Sequence, residues 1–250
     1  NVKTSSDFSV SDINATLANQ ATLTSSFLST CLNSTGPVLT AKVTGTVQKY
    51  EWYSNTNNTA NTASPAVLLA TYTTSANTST YTATTTASGT QYYFVKITIS
   101  GGIVYTNTQG ITINALPSIS SQPSTSTQTI CQNGIPTALS ITATAGSGTG
   151  PTYQWYSNAL NNNTSGTLIS GATNATFSPP TNIVGTMYYY CVVSNSNGCS
   201  VTSNASGAIT INSNSLNGGT IAGSTSVCTG TNSTSLTLSG YTGSITRWQS

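Results

Sequence analysis

The sequence predicts an all-β fold of repeated β-sandwiches, on three observations. The chain repeats itself at a period near 100 residues. Short runs alternating apolar and polar residues fill each period. A Tyr-rich run late in each period leads into a turn signal. Solenoid units are shorter, roughly 20–50 residues, and need their neighbours to fold; a period near 100 is a whole domain with its own core.

The repeat is carried by collinear marks. Tyr50-Glu51-Trp52-Tyr53-Ser54-Asn55 recurs as Tyr153-Gln154-Trp155-Tyr156-Ser157-Asn158, and in degenerate form as Arg247-Trp248-Gln249-Ser250. Cys31, Cys131 and Cys228 keep step with the Trp residues. Tyr92-Tyr93-Phe94-Val95 matches Tyr188-Tyr189-Tyr190-Cys191, and Ile111-Thr112-Ile113-Asn114 matches Ile209-Thr210-Ile211-Asn212. These marks place repeat one over 1–115 with an N-terminal lead-in, repeat two over 116–213, and the start of repeat three over 214–250. The third copy stops just after its Trp, so it is expected to be incomplete.

Repeat two shows the elements in order. Leu139, Ile141 and Ala143 alternate with Ser140, Thr142 and Thr144, the pattern of a half-buried strand. The next strand, 153–157, carries the Trp. Short strands follow at 168–171 and 176–178, the latter stopped by Pro179-Pro180. The longest strand spans 187–194. Asn197-Gly198 signals a two-residue hairpin, and the chain returns as 199–203 and 208–211. Repeat one has the same hairpin around Gly101-Gly102. No capped helix with a 3.6-residue period is visible. About seven short strands, a mid-domain Trp and a Tyr-rich late strand make each unit an immunoglobulin-like sandwich. Tyr189 precedes Cys191 by two residues and Tyr93 precedes Val95 by two, the tyrosine-corner spacing. Trp52, Trp155, Tyr93 and Tyr189 are therefore expected in the cores.

Charge narrows the chemistry. Charged residues are 3% of the chain, against about 25% in an average globular protein, so the surface must be made from Ser, Thr, Asn and Gln. The 8% aromatic content argues for packed cores over disorder. Residues 97–246 carry no Asp, Glu, Lys, Arg or His, and the only carboxylate side chains are Asp7, Asp12 and Glu51. Paired carboxylates, a base for a Ser or Cys nucleophile, a calcium loop and a zinc ligand set are all missing from this composition. No enzyme, cofactor or metal is expected. Net charge is +2 with five Lys plus Arg, too little for a nucleic-acid surface. No run approaches the roughly 20 apolar residues of a membrane span, so no membrane insertion is expected.

Cys131, Tyr153, Trp155, the Ile169-x-Gly171-Ala172-Thr173 segment, Tyr189 and the Asn197-Gly198-Cys199 turn resemble the immunoglobulin-like repeats of large Bacteroidota surface proteins. Those include gliding-motility adhesins and other cargo of the type IX secretion system. The resemblance spans about residues 20–250. It implies an extracellular, bacterial cell-surface location and a role as spacer, adhesive stalk or filament segment. It also implies a disulfide Cys131–Cys199, closing a loop of about 68 residues worth roughly 4 kcal/mol by chain entropy. Cys131–Cys191 is the alternative, and either choice leaves one Cys of repeat two free. In repeat one, Gly102 and Val95 stand where Cys199 and Cys191 do. Cys31 then has no partner in its own domain. It is either a buried thiol acting as a small hydrophobe or bonded to another repeat or chain. Cys228 is expected to pair beyond Ser250.

A neutral surface gives copies little self-repulsion. Other copies of the chain or neighbouring repeats are thus the expected partners, in filaments or a surface layer. The alternative is a carbohydrate-binding module taking surface glycans on Tyr72, Tyr81, Tyr105 and Tyr156. A Lys–Asn crosslink is excluded from repeat two, which lacks Lys and acid; repeat one retains Lys42, Lys49, Lys96 and Glu51. The linker Ile113-Asn114-Ala115-Leu116-Pro117 is short, and Pro117 restricts bending. The segment 212–219 looks looser.

Overall fold

The computed structural model describes residues 21–63, 65–213, 218–223 and 235–247. Asp7, Asp12, Cys228 and Trp248 lie outside the described residues. Among the described residues the only regular elements are strands.

The first sandwich contains β1 (Ala21–Ser25), β2 (Ser29–Cys31), β3 (Val38–Val43), β4 (Val47–Asn55), β5 (Val67–Thr73), β6 (Thr78–Thr82), β7 (Gly89–Ile99), β8 (Gly102–Tyr105) and β9 (Gln109–Asn114). One sheet has the order β1-β3-β6; the other runs β2-β9-β7-β4-β5, with β8 beside the far half of β7. The first strand is thus split between layers. β1 pairs antiparallel with β3, whereas β2 crosses over to run parallel with β9. That crossover, with the antiparallel pairing of β4 and β7 at the centre of the larger sheet, is the immunoglobulin-like topology.

Alternation fills the core. Leu39, Ala41 and Val43 on β3 point inwards towards Trp52, Val95, Ile97, Ile111 and Ile113 of the facing sheet. Trp52 is fully buried, stacks with Tyr81 at 5.6 Å and donates its indole N–H to Ser79 Oγ at 3.0 Å. An indole can sit this deep only because its donor finds a partner.

The second sandwich repeats the plan with β10 (Ser118–Ser121), β11 (Gln128–Cys131), β12 (Leu139–Ser140), β13 (Thr142–Thr144), β14 (Thr152–Asn158), β15 (Thr167–Leu168), β16 (Thr176–Phe177), β17 (Gly185–Ser194), β18 (Ser200–Thr202) and β19 (Ile209–Asn212). β11 runs parallel with β19, and β17 lies between β19 and β14. Trp155 is fully buried, stacks on Phe177 at 5.4 Å and donates to the Asn174 carbonyl at 2.9 Å. Tyr93 and Tyr189 are buried in their respective cores, where burial raises both phenol pKa values.

Two elements differ from the sequence reading. The alternating run 139–144 is two strands, because it changes partners at Ile141: β12 pairs β16, and β13 pairs β10. The β17–β18 turn has five residues, 195–199, between the paired Ser194 and Ser200. The cause is Asn195, whose Oδ1 accepts the N–H groups of both Asn197 and Cys199 at 3.1 Å and organises the longer loop. Repeat one lacks this device; Ile99 pairs directly with Gly102, leaving Ser100-Gly101 as a two-residue turn.

A further antiparallel pair, β20 (Gly218–Ala222) and β21 (Thr237–Tyr241), follows the second sandwich. It stands in the sequence order of β1–β3 and β10–β13, before and after the third landmark Cys.

Candidate functional site

The richest cluster of interactions between distant residues lies where the two sandwiches meet. The last residues of β9 and the linker enter a cleft formed by two loops of the second sandwich, 145–151 and 195–199. The backbone of Ala115 is held twice by Ser147, its N–H donating to Ser147 Oγ at 2.8 Å and its carbonyl accepting the Ser147 N–H at 3.3 Å. Asn195 Nδ2 donates to the carbonyls of Ala115 and Ala145, at 3.2 and 2.8 Å. Asn197 Nδ2 donates to Asn114 Oδ1 at 2.9 Å. Gly146 adopts φ 72°, and a Cβ there would stand 2.1 Å from the Leu116 carbonyl oxygen, so only glycine lets the loop approach the linker.

A disulfide closes this junction. It joins Cys31 to Cys199 across 168 residues of sequence, one sandwich to the next. The pairing Cys131–Cys199 implied by the family resemblance is therefore corrected, and its alternative Cys131–Cys191 with it: Cys131 and Cys191 are both free. The reason is geometric. Cys131 is opposite Asn212, next to the Ile211–Gly185 pair at the start of β17. Cys199 lies beyond Ser194, at the other end of that ten-residue strand, roughly 30 Å away. A disulfide needs Cα atoms within about 7 Å. Cys31, opposite Asn114, sits where the first sandwich hands the chain on, and Cys199 sits where the second receives it. Cys199 is 1% exposed and Asn114 8%.

Cys191 is buried in the core at the position facing Trp155, as Val95 faces Trp52. Burial pushes its thiol up to about 11, which leaves it protonated and unreactive at neutral pH. Its place in the packing is that of a small apolar side chain. Cys131, in contrast, is exposed.

The tyrosines considered for sugar binding do not converge. Tyr81 packs on Trp52, Tyr105 lies against Phe94, and Tyr156 stacks on Tyr190 at 5.2 Å. Tyr72 is 44% exposed and borders a groove of about 530 Å³ with Thr71, Thr73, Thr74, Ser79 and Thr80. A second cleft, of about 300 Å³, opens beside Ile183, Val184 and Met187 and is mainly apolar, so little in it would orient a sugar.

Glu51 forms ion pairs with Lys49 and Lys96 at 3.3 and 3.2 Å. Burial pushes its carboxyl up, but the hydrogen bonds and charges of Lys96 and Lys49 outweigh that and hold it below the usual carboxylate range. Its hydrogen bond to Glu51 likewise raises Lys96.

Split-strand sandwiches joined in tandem define an immunoglobulin-like multidomain module. The model of a domain of unknown function, DUF8696, matches residues 121–213 and again 217–250, together just over half of the chain, and the chain belongs to that family. No curated protein matches it. Among solved structures it is similar to the fibronectin(III)-like modules of Clostridium thermocellum CbhA, at 13% identity and TM-score 0.38, covering 76% of this chain and 94% of that one. It is similar to a C-terminal 282-residue fragment of intimin, solved with the intimin-binding domain of its translocated receptor, at 14% identity and TM-score 0.42, covering 75% and 63%. The tandem Ig repeats of Dlar match at 12% identity and TM-score 0.31, covering 78% and 98%.

Proposed function

We propose that this chain is a segment of a non-enzymatic stalk on an extracellular bacterial surface protein, of the kind found in Bacteroidota adhesins, and that it holds its sandwiches at a fixed angle to one another. The observation that supports this reading is the junction. A flexible tether between independent binding domains has no use for a glycine-gated cleft, four side-chain hydrogen bonds and a covalent bridge around one short linker. A structural disulfide also belongs to an oxidising compartment. Small-angle X-ray scattering tests the reading. The oxidised chain is expected to fit a single rod-like arrangement of the two sandwiches, and the Cys31→Ser/Cys199→Ser variant a broader distribution. A broad distribution in the oxidised chain would sink it.

A second reading rests on the hydroxyl-lined groove beside Tyr72. An exposed phenol ring flanked by Thr hydroxyls is suited to stacking and hydrogen bonding on a sugar, which makes the stalk adhesive through its first sandwich. A glycan array on the wild-type chain and on Tyr72→Ala decides it: binding lost in the variant supports this reading, and no binding by either rejects it.

A further inference from the structure

We infer that Cys131 and Asn212 form the docking socket for the hairpin turn of the following repeat, and that Cys131 closes a disulfide with a cysteine on that turn. The inference stands on repeat geometry and is independent of the adhesive reading.

The first socket is occupied within this chain, and the second copies its frame bond for bond. Cys31 and Asn114 are the last partners of the parallel β2–β9 ladder; Cys131 and Asn212 are the last partners of the β11–β19 ladder. The residue after each Cys donates its N–H to that Asn carbonyl, Leu32 to Asn114 at 2.9 Å and Gln132 to Asn212 at 2.8 Å. The next residue is Asn in both, with φ 61° at Asn33 and 63° at Asn133. Each donates its N–H to a threonine carbonyl, Thr85 or Thr181, at 2.9 Å. The threonine hydroxyl returns the bond, Thr85 Oγ1 to the Ser34 carbonyl at 2.6 Å and Thr181 Oγ1 to the Gly134 carbonyl at 2.8 Å.

What differs is the cover. In the first sandwich Asn114 is buried beneath the 195–199 turn, which supplies Asn197 and Cys199. In the second, Asn212 and Cys131 are exposed. The cysteine cannot satisfy itself at home, because Cys191 is buried in the core and Cys199 is already bonded. The β20–β21 pair and the second family match at 217–250 supply the start of a third copy next in sequence after the second sandwich. The occupant is thus the third copy's equivalent of the Asn197-Gly198-Cys199 turn. Closure removes one proton and one electron from each thiol. The two electrons pass to the disulfide of a thiol–disulfide oxidoreductase, which leaves as a dithiol.

The test uses the full natural polypeptide, secreted and kept unreduced. Free thiols are alkylated, the protein is digested with pepsin at low pH, and linked peptides are identified by mass spectrometry. The expected result includes two linked pairs, Cys31 with Cys199 and Cys131 with the turn of the third copy. In Cys131→Ser, the third-copy cysteine is expected to go from unlabelled to fully alkylated. The Cys31–Cys199 pair persists in that variant and reports that the fold is intact. Alkylation of Cys131 in the native chain, its linkage to Cys191, Cys228 or another molecule, or a third copy without a turn cysteine each overturns the inference.

Discussion

Cys191 and Cys199 are eight residues apart on one hairpin, yet one is a core methyl in all but name and the other a bridge. The difference is position along β17 and its return: Cys191 faces Trp155 across the ladder, whereas Cys199 caps the loop at the domain end. Cys191→Val, which copies Val95, should change stability by less than about 1.5 kcal/mol in urea unfolding, since the thiol contributes volume and little else. Cys199→Ser should expose exactly one additional alkylatable thiol, on Cys31, in intact-mass measurements. Aromatic core positions were legible in the sequence because a buried Trp recurs with the domain period. The disulfide was legible only in part. Cys31 has no partner in its own repeat and repeat two has one cysteine too many, so a bond from Cys31 to another repeat was one of the two readings, and the structure bears it out. Its partner was not legible, because spacing within one repeat says nothing of a neighbour's turn.

At the scale of elements, the 195–199 loop is where local chemistry decides domain geometry. Asn195 Oδ1 shapes the loop, while its Nδ2 grips the linker through Ala115. Asn195→Ala removes both, leaving buried donors and acceptors unmatched, and should cost about 1–3 kcal/mol. Hydrogen exchange should localise that loss to the loop and to residues 114–116. Asn197-Gly198 signalled a turn but not its length, because the three extra residues are organised by the side chain of Asn195, two positions upstream. In the first sandwich, the Lys49–Glu51–Lys96 cluster ties β4 to β7. Glu51 has its folded pKa below its unfolded value of about 4.3, so its stabilisation is present above that pH and is lost as pH falls through the folded pKa. Glu51→Gln should flatten the acid limb of the first sandwich's unfolding profile and leave the second unchanged.

For the whole molecule, the distribution of charge sets the response to solvent. The second sandwich has no side chain that titrates between about pH 3 and 8, so acid should leave it folded after the first has weakened. Tryptophan fluorescence of the Trp52→Phe/Trp248→Phe double variant, which leaves Trp155 as the one indole reporter, should be flat over that range. A surface so poor in charge also predicts association that is nearly insensitive to salt. Light scattering should give the same mass at low and high ionic strength, and a salt-dependent mass would count against lateral packing. The tandem fold itself was legible because period, alternation and turn residues all agree on it. The angle between sandwiches was not, being written in contacts between residues some 80 positions apart, such as Asn197 and Asn114.

The Cys31–Cys199 bridge has a mechanical consequence. Pulled from its two ends, the polypeptide transmits tension from residue 31 straight to residue 199, and everything between is shunted out of the line of force. The 168-residue separation then conceals roughly 55–60 nm of contour length, nearly the whole of both cores. In single-molecule stretching, that length should stay hidden at any force the covalent bond survives, and should appear only when a reductant is added. The redox state of the surroundings would thus gate extensibility, and in an oxidising one about two thirds of this chain cannot lengthen.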